Sequence, residues 1–241
     1  LDDLGADVRV CERRAGETGD PCIHRFREMV ANGAVPFCCQ GTENLLTLDG
    51  GRTLGFELAA QWDAHGGSPT RLLVQVGGGA LASSTVQALD DVVTRGGPST
   101  RLGLVAVQHE GCAPLARAFN RVASAEDSMA TLVVADASSD DGSAMWPWTD
   151  PASVATGLLD DVVYDWRALV HYMLLGPTPG GPVVATEADL VDAHALVLAH
   201  TEVSADPTGT AGLAGLLAAR RHGCIDASEE VVILLTGVDR S

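Results

Sequence analysis

The 241-residue chain contains no lysine; all fifteen of its basic residues are arginine. Catalysis that uses a side-chain amine as nucleophile or proton carrier therefore has no group to work with inside this chain. Basic residues are few altogether, 15 against 32 acidic, which leaves a formal net charge of −17 and no long basic run. A surface of that sign repels DNA, RNA and anionic membranes and excludes them as main partners. Aromatics are scarce at 4%, so the core must be built from Val, Leu and Ala, as in a parallel sheet covered by helices. No apolar run reaches the length of a membrane span, and no signal peptide is visible. Among the six cysteines, Cys11, Cys22, Cys38, Cys39, Cys112 and Cys224, there is no C-x-x-C pair. They read as reduced, buried or half-buried thiols of a cytoplasmic protein, with no metal site among them. The chain also lacks an initial Met, and it reaches strand-like residues 6–11 almost at once. Both features read as a start inside a longer polypeptide.

What is present is ordinary for a globular domain: 46% hydrophobic and 20% charged residues. Leu1 to Leu4 read as the end of a helix and residues 6–11 as a short strand. Asp20-Pro21 is a good helix start, with Asn32-Gly33 as its stop. Residues 36–52 look like a crossover loop, and a second helix is expected over residues 53–65. Strands follow at 71–76, 102–107, 183–185 and 231–235, with a doubtful one at 131–135. Between them lie helices at 80–93 and 113–123, one or two within 151–175, one ending near His200, and one opened by Pro207 and running to Arg221. Thr186 with Asp189 forms a capping-box pattern for the helix that ends near His200. Strands alternating with helices of this length imply parallel β-α-β units, hence an α/β fold. Residues 137–151, rich in Ser, Asp and Gly, are loop-like, and Trp146 and Trp148 within them read as a packed flap or interface edge.

The strongest local signal is Gln75-Val76-Gly77-Gly78-Gly79-Ala80-Leu81, a buried strand that breaks into three glycines and then a helix. Glycines let the main chain turn tightly and let a bound group approach it. Successive N–H groups and the positive end of a helix dipole then make a phosphate cradle. The same stretch satisfies Gly-x-Gly-x-x-Ala at Gly77, Gly79 and Ala82, with Glu110 as the acidic partner of an NAD(P)-binding Rossmann-type oxidoreductase. Its distance from the glycines is longer than the usual ~20 residues. Near the C-terminus, Asp206-Pro207-Thr208-Gly209-Thr210 places a hydroxyl where a helix of small residues begins; a plain helix cap would look the same.

Together the two motifs resemble the fold-type II pyridoxal-phosphate enzymes, the group of the tryptophan synthase β-subunit, threonine synthase and the threonine and serine dehydratases. By that resemblance Gly77, Gly78, Gly79, Ala80 and Leu81 hold the phosphate of pyridoxal 5'-phosphate, and Thr208 contacts its pyridine nitrogen. Gly50-Gly51-Arg52-Thr53-Leu54 with Glu57 resembles the segment leading back into the family's large domain, and residues 231–237 resemble its last strand. The resemblance implies a three-layer α/β/α architecture with a mostly parallel sheet, incomplete because the N-terminal half is missing. Residues 1–40 would then be the remainder of a small domain and residues 41–241 the large, cofactor-binding one. It also implies a lyase or transferase, acting by α,β-elimination or replacement on serine- or threonine-like substrates, and it admits a homodimer. A neutral hydroxyl at the pyridine nitrogen suits that chemistry, because it leaves the nitrogen largely unprotonated. The family needs a lysine in its N-terminal half, so this chain alone is expected to be inactive. A non-catalytic cofactor-binding remnant stands as another alternative.

Other candidates are weaker. His24 and Arg25 read as a solvated helix face, and Asp160, Asp161 and Asp165 as an acidic surface face. His109, Glu110 and Cys112 lack a third partner for a metal or nucleophile site. His194 and His200 point to different sides of their helix.

Overall fold

Side-chain alternation along four parallel strands divides the core into two layers. The computed structural model describes residues 2–12, 19–97, 101–137, 144–175 and 180–238. The strands are Arg71–Gln75 (β1), Gly103–His109 (β2), Gly181–Ala185 (β3) and Val231–Ile233 (β4), in the order β3-β2-β1-β4. Registers are parallel throughout, with Leu73 opposite Val105 and Ile233, and Val107 opposite Val183. Leu72, Val74, Leu104 and Ala106 face one layer, while Leu73, Val105 and Val107 face the other. Each of these seven side chains is at most 3% exposed. A Leu buried this fully is worth about 1.5–3 kcal/mol.

The first layer is built from Leu45–His65 (α2), Ala80–Thr94 (α3), Pro114–Ala123 (α4), Ser128–Ala137 (α5) and Trp166–Leu175 (α6). The second is built from Glu187–His200 (α7) and Ala211–Arg221 (α8). This is the expected three-layer α/β/α arrangement. Crossovers β1-α3-β2 and β2-α4-β3 run over one face, and the return to β4 through α7 and α8 runs over the other. The direction of winding therefore reverses at β1, and the carboxyl ends of β1 and β4 border a topological switch point, the place where open α/β sheets form a ligand crevice.

Residues 1–38 and 39–241 form separate compact units. In the first, Pro21–Ala31 (α1) starts where expected, the Asp20 carboxylate accepting the Cys22 N–H at 2.7 Å. Gly33, with φ of +98°, follows its end. Residues 6–11 are not a strand. They are irregular, with Val10 87% exposed, and a lone strand without a partner edge is not stable. Asp2–Leu4 forms one 3-10 turn, and Leu1 lies outside the described residues.

Three expectations fail in the second unit for identifiable reasons. Helix α2 begins at Leu45, inside the expected crossover loop, because its glycines serve packing. A β-carbon on Gly51 would lie 2.5 Å from Ser84 Oγ, and one on Gly55 would lie 2.6 Å from Ala88 Cβ. Their absence lets α2 approach α3 closely. Residues 131–135 are helical, although Val and Thr favour strands. Asp127 Oδ1 accepts the Ala130 N–H at 2.9 Å and Leu132 is buried in the core, so capping and packing override propensity. Helix α8 starts at Ala211 rather than Pro207, after a turn in which Thr210 N–H donates to Asp206 O at 3.0 Å. The Thr186–Asp189 capping box is formed as expected, with both reciprocal bonds present. Gln108, fully buried, caps α4 from the neighbouring strand: its Oε1 accepts the N–H of Leu115 at 2.8 Å and of Ala116 at 3.1 Å.

Candidate functional site

At the carboxyl end of β1 the chain breaks into Gly77, Gly78 and Gly79 and enters α3 at Ala80. Gly79, the N-cap, has φ of +99°, a conformation that only glycine adopts without strain. No side chain caps this helix, and the first N–H groups of a helix have no acceptor within it. Gly77, Gly78, Ala80 and Leu81 are half-buried, so the turn is reachable. An uncapped helix start of this kind leaves N–H groups that an anion such as a phosphate can use.

A strap of residues 144–165 crosses the carboxyl ends of the strands and closes on this turn. Tyr164 N–H donates to Gly78 O at 2.9 Å. Val154 N–H and Ser153 Oγ donate to the two oxygens of Glu187, at 2.8 and 2.9 Å. Cys112 Sγ donates to Asp160 O at 3.2 Å, and Trp148 N–H to Asp161 O at 2.8 Å. Arg117 bonds Trp146 O, with its guanidinium 3.8 Å from the Trp146 ring centre and 5.2 Å from that of Trp148. The two tryptophans are thus packed against α4; residues 138–143 of the same loop lie outside the described residues.

The strap also joins the two motifs read from the sequence. Gly157 N–H donates to Thr208 Oγ1 at 3.1 Å. On the other side, a β-carbon on Gly77 would collide with Gly157 O. Thr208 sits in a turn held by Asp206, whose Oδ1 accepts the Gly209 N–H at 2.7 Å, and by Thr236, whose N–H donates to Gly209 O at 3.2 Å. Gln75, at the end of β1, donates to Thr236 Oγ1. Gly77 to Leu81 and Thr208, more than 120 residues apart in sequence, therefore lie around one crevice.

The acidic cluster differs from expectation. Asp160, Asp161 and Asp165 precede α6 rather than lying along it, and Asp161 and Asp165 are only 4% and 7% exposed. Asp160 Oδ2 lies 2.8 Å from the position of a β-carbon on Gly77 and 3.3 Å from one on Gly78, on the side where side chains would project. Burial pushes the Asp165 carboxyl up to about 6, the Gly41 N–H opposing it.

The remaining candidates are structural. Cys112 is buried, and burial together with Asp161 and Asp160 pushes its thiol up to about 12, which leaves no thiolate for attack. His109 Nδ1 accepts the Gly111 N–H at 2.9 Å, and Nε2 is 2.8 Å from Glu187 Oε2, off the line of a good hydrogen bond. Glu110 accepts the Glu187 N–H at 3.3 Å. His24 and Arg25 are exposed on α1. Among the described residues no group of three or more His, Cys, Asp and Glu could hold a metal, and no helix is long and apolar enough to cross a membrane. None of the six cysteines is in a disulfide, but Cys22, Cys39 and Cys224 are exposed rather than buried or half-buried.

Sequence reading misses Gly157, Asp160 and Tyr164 as parts of the crevice. Gly157 and Tyr164 lie in a loop without periodicity, about 80 residues from the glycine turn, and nothing local marks them; Asp160 stands out in the sequence only as part of the acidic cluster.

Comparison with known proteins agrees with the fold. Threonine synthase of Methanocaldococcus jannaschii is 23% identical over 197 residues, covering 80% of this chain and 42% of that protein. The structure of a threonine deaminase from T.th. superposes with a TM-score of 0.60 at 21% identity, over 81% of this chain and 59% of that one. A pyridoxal 5'-phosphate-dependent aspartate racemase matches all of this chain and 62% of its own, with a TM-score of 0.67 at 16% identity. The chain thus spans roughly half the length of these relatives. At these identities the superpositions establish the fold alone. The family model described as pyridoxal-phosphate dependent enzyme matches residues 1–237, which sets aside the dinucleotide reading: the chain belongs to the pyridoxal-phosphate-dependent enzyme family.

Proposed function

We propose that this chain is the cofactor-cradling part of a pyridoxal-phosphate-dependent lyase or transferase that eliminates or replaces the β-substituent of a serine- or threonine-like amino acid. The observation that carries the reading is the convergence of the uncapped Gly77–Leu81 turn and the Thr208 hydroxyl at the point where the strand order reverses. Backbone N–H groups of the turn and the α3 dipole would hold the phosphate. The Thr208 hydroxyl would donate to the pyridine nitrogen. When bound, the cofactor supplies an electron sink for negative charge at the amino acid's α-carbon. A neutral hydroxyl leaves the ring nitrogen unprotonated, which moderates that sink and favours loss of a β-substituent over transamination.

With no lysine in the chain, no side-chain amine here can form a Schiff base with the cofactor or shuttle the α-proton. That group would come from outside these 241 residues. Residues 1–40 would belong to a small domain and residues 41–241 to the large one. The names of the relatives, threonine synthase and threonine deaminase, favour a hydroxy-amino-acid substrate.

The test is a melting comparison of the chain with pyridoxal phosphate and with NAD. Pyridoxal phosphate should raise the melting temperature and NAD should leave it unchanged, since only a ligand that binds the folded state stabilises it. Stabilisation by NAD alone would end this reading.

A further inference from the structure

Gly157 touches both halves of the crevice, and its backbone conformation is not the reason it is glycine. Its φ is not in the left-handed region, so alanine could adopt the same main-chain angles. The obstacle is contact. A β-carbon at 157 would lie 2.7 Å from Thr208 Cγ2, 3.2 Å from Thr208 Oγ1 and 3.5 Å from Thr208 Cβ, so its three nearest neighbours all belong to one side chain. The carbonyl of the same residue fills the space beside Gly77 that a side chain there would need.

The hydrogen bond has a direction. A hydroxyl has one proton to give and two lone pairs to receive with. Gly157 N–H occupies one lone pair of Thr208 Oγ1, and among the described residues the hydroxyl proton makes no bond. Accepting one hydrogen bond also strengthens the donor on the same oxygen. Thr208 is half-buried and Gly157 exposed, so the free proton can be reached by a ligand in the crevice.

We propose that Gly157 is a positioning residue: its N–H turns the Thr208 hydroxyl into a donor toward the pyridine nitrogen, and its missing side chain sets the spacing between that hydroxyl and the Gly77 turn. This rests on the cofactor-cradle reading above and adds to it the element that holds the two ends of the ligand in register.

Pyridoxine 5'-phosphate is the suitable probe. It carries the phosphate and the pyridine nitrogen but no aldehyde, so its binding does not depend on a lysine. Fluorescence titration of the 241-residue chain should show G157A weakening binding by about tenfold, the usual effect of one misplaced hydrogen bond. T208S keeps the hydroxyl and removes Cγ2, so it should stay within about threefold of the unaltered chain. The double variant G157A/T208S should return to within about threefold of T208S, because the atom that the new methyl strikes is gone. The ultraviolet spectrum of the bound ring should shift toward the protonated form in G157A and return in the double variant. Melting curves show whether each variant folds. If G157A alone does not fold, the double variant measured against T208S still decides.

Equal affinity of G157A and the unaltered chain, or a loss in G157A that T208S does not relieve, would overturn the proposal. Failure of the unaltered chain to bind pyridoxine 5'-phosphate would overturn the cradle reading itself, and this proposal with it.

Discussion

The carboxyl of Asp165 accepts the main-chain N–H of Gly41 at such close quarters that a β-carbon on residue 41 would lie 2.6 Å from Oδ1 and 2.7 Å from Oδ2. One bond does not offset the burial of a charge. Asp165 is 7% exposed, its Oδ2 has no partner, and its carboxyl is pushed up to about 6. Between about pH 4 and 6 the folded chain holds this proton and the unfolded chain has lost it. The folded state therefore binds more protons, and stability from this group falls as pH rises through that window. Asp165→Asn keeps an acceptor for Gly41 and removes the charge. It should stabilise the chain by on the order of 1 kcal/mol at about pH 7, with no gain at about pH 4. Urea unfolding at the two pH values checks this, and an equal effect at both would show that the charge is not the cause.

Gln108, on β2, meets the start of α4 and makes three bonds: it accepts from Leu115 and Ala116 and donates to Val76 O at 3.3 Å. Gln108→Ala would leave two buried N–H groups at a helix start without an acceptor. The expected cost is about 2–4 kcal/mol. Chemical denaturation should show it as a lower midpoint with an unchanged slope.

Helix α2 offers a paired test on adjacent glycines. Gly50 has nothing within 4 Å of a built β-carbon, whereas Gly51 would place one 2.8 Å from Ser84 Cβ and closer still to its Oγ. Gly50→Ala should therefore gain about 0.5–1 kcal/mol from helix propensity alone. Gly51→Ala should lose at least as much, because α2 must move away from α3. Melting temperatures moving in the same direction for both variants would refute the packing explanation.

These glycines also mark where the sequence is readable. The parallel strands, the α3 and α7 starts and the Thr186–Asp189 cap are legible because periodicity and capping are local properties. Gly50-Gly51 reads as a loop because a glycine that admits a neighbouring helix and a glycine that makes a turn are the same letter. Residues 131–135 read as a strand because the β-branched preference is local, while Asp127 and the packing of Leu132 that outweigh it are not part of that segment's pattern. The two ends of the crevice can be proposed from Gly77–Leu81 and from Thr208, each beside a helix start. The strap between them cannot, since its contacts are mostly main-chain bonds at long sequence separation.

Asp160 supplies the most direct test of how the crevice treats an anion. Its carboxylate flanks Gly77 and Gly78, so a phosphate held on the α3 N-terminus would sit within several ångströms of a like charge. At an effective dielectric appropriate to a protein surface, such a pair repels by on the order of 1 kcal/mol. Asp160→Asn should then bind pyridoxine 5'-phosphate about threefold to tenfold more tightly at low ionic strength. The gain should shrink as salt screens the pair, so titrations at about 10 mM and at several hundred mM salt should converge. A salt-independent loss of affinity would instead mean that Asp160 serves the turn's shape, and that charge at this position does not govern anion binding. A cradle that tolerates this carboxylate must draw its affinity from aligned N–H groups rather than from net positive charge. A chain of net charge −17 without lysine leaves few other ways to hold a phosphate.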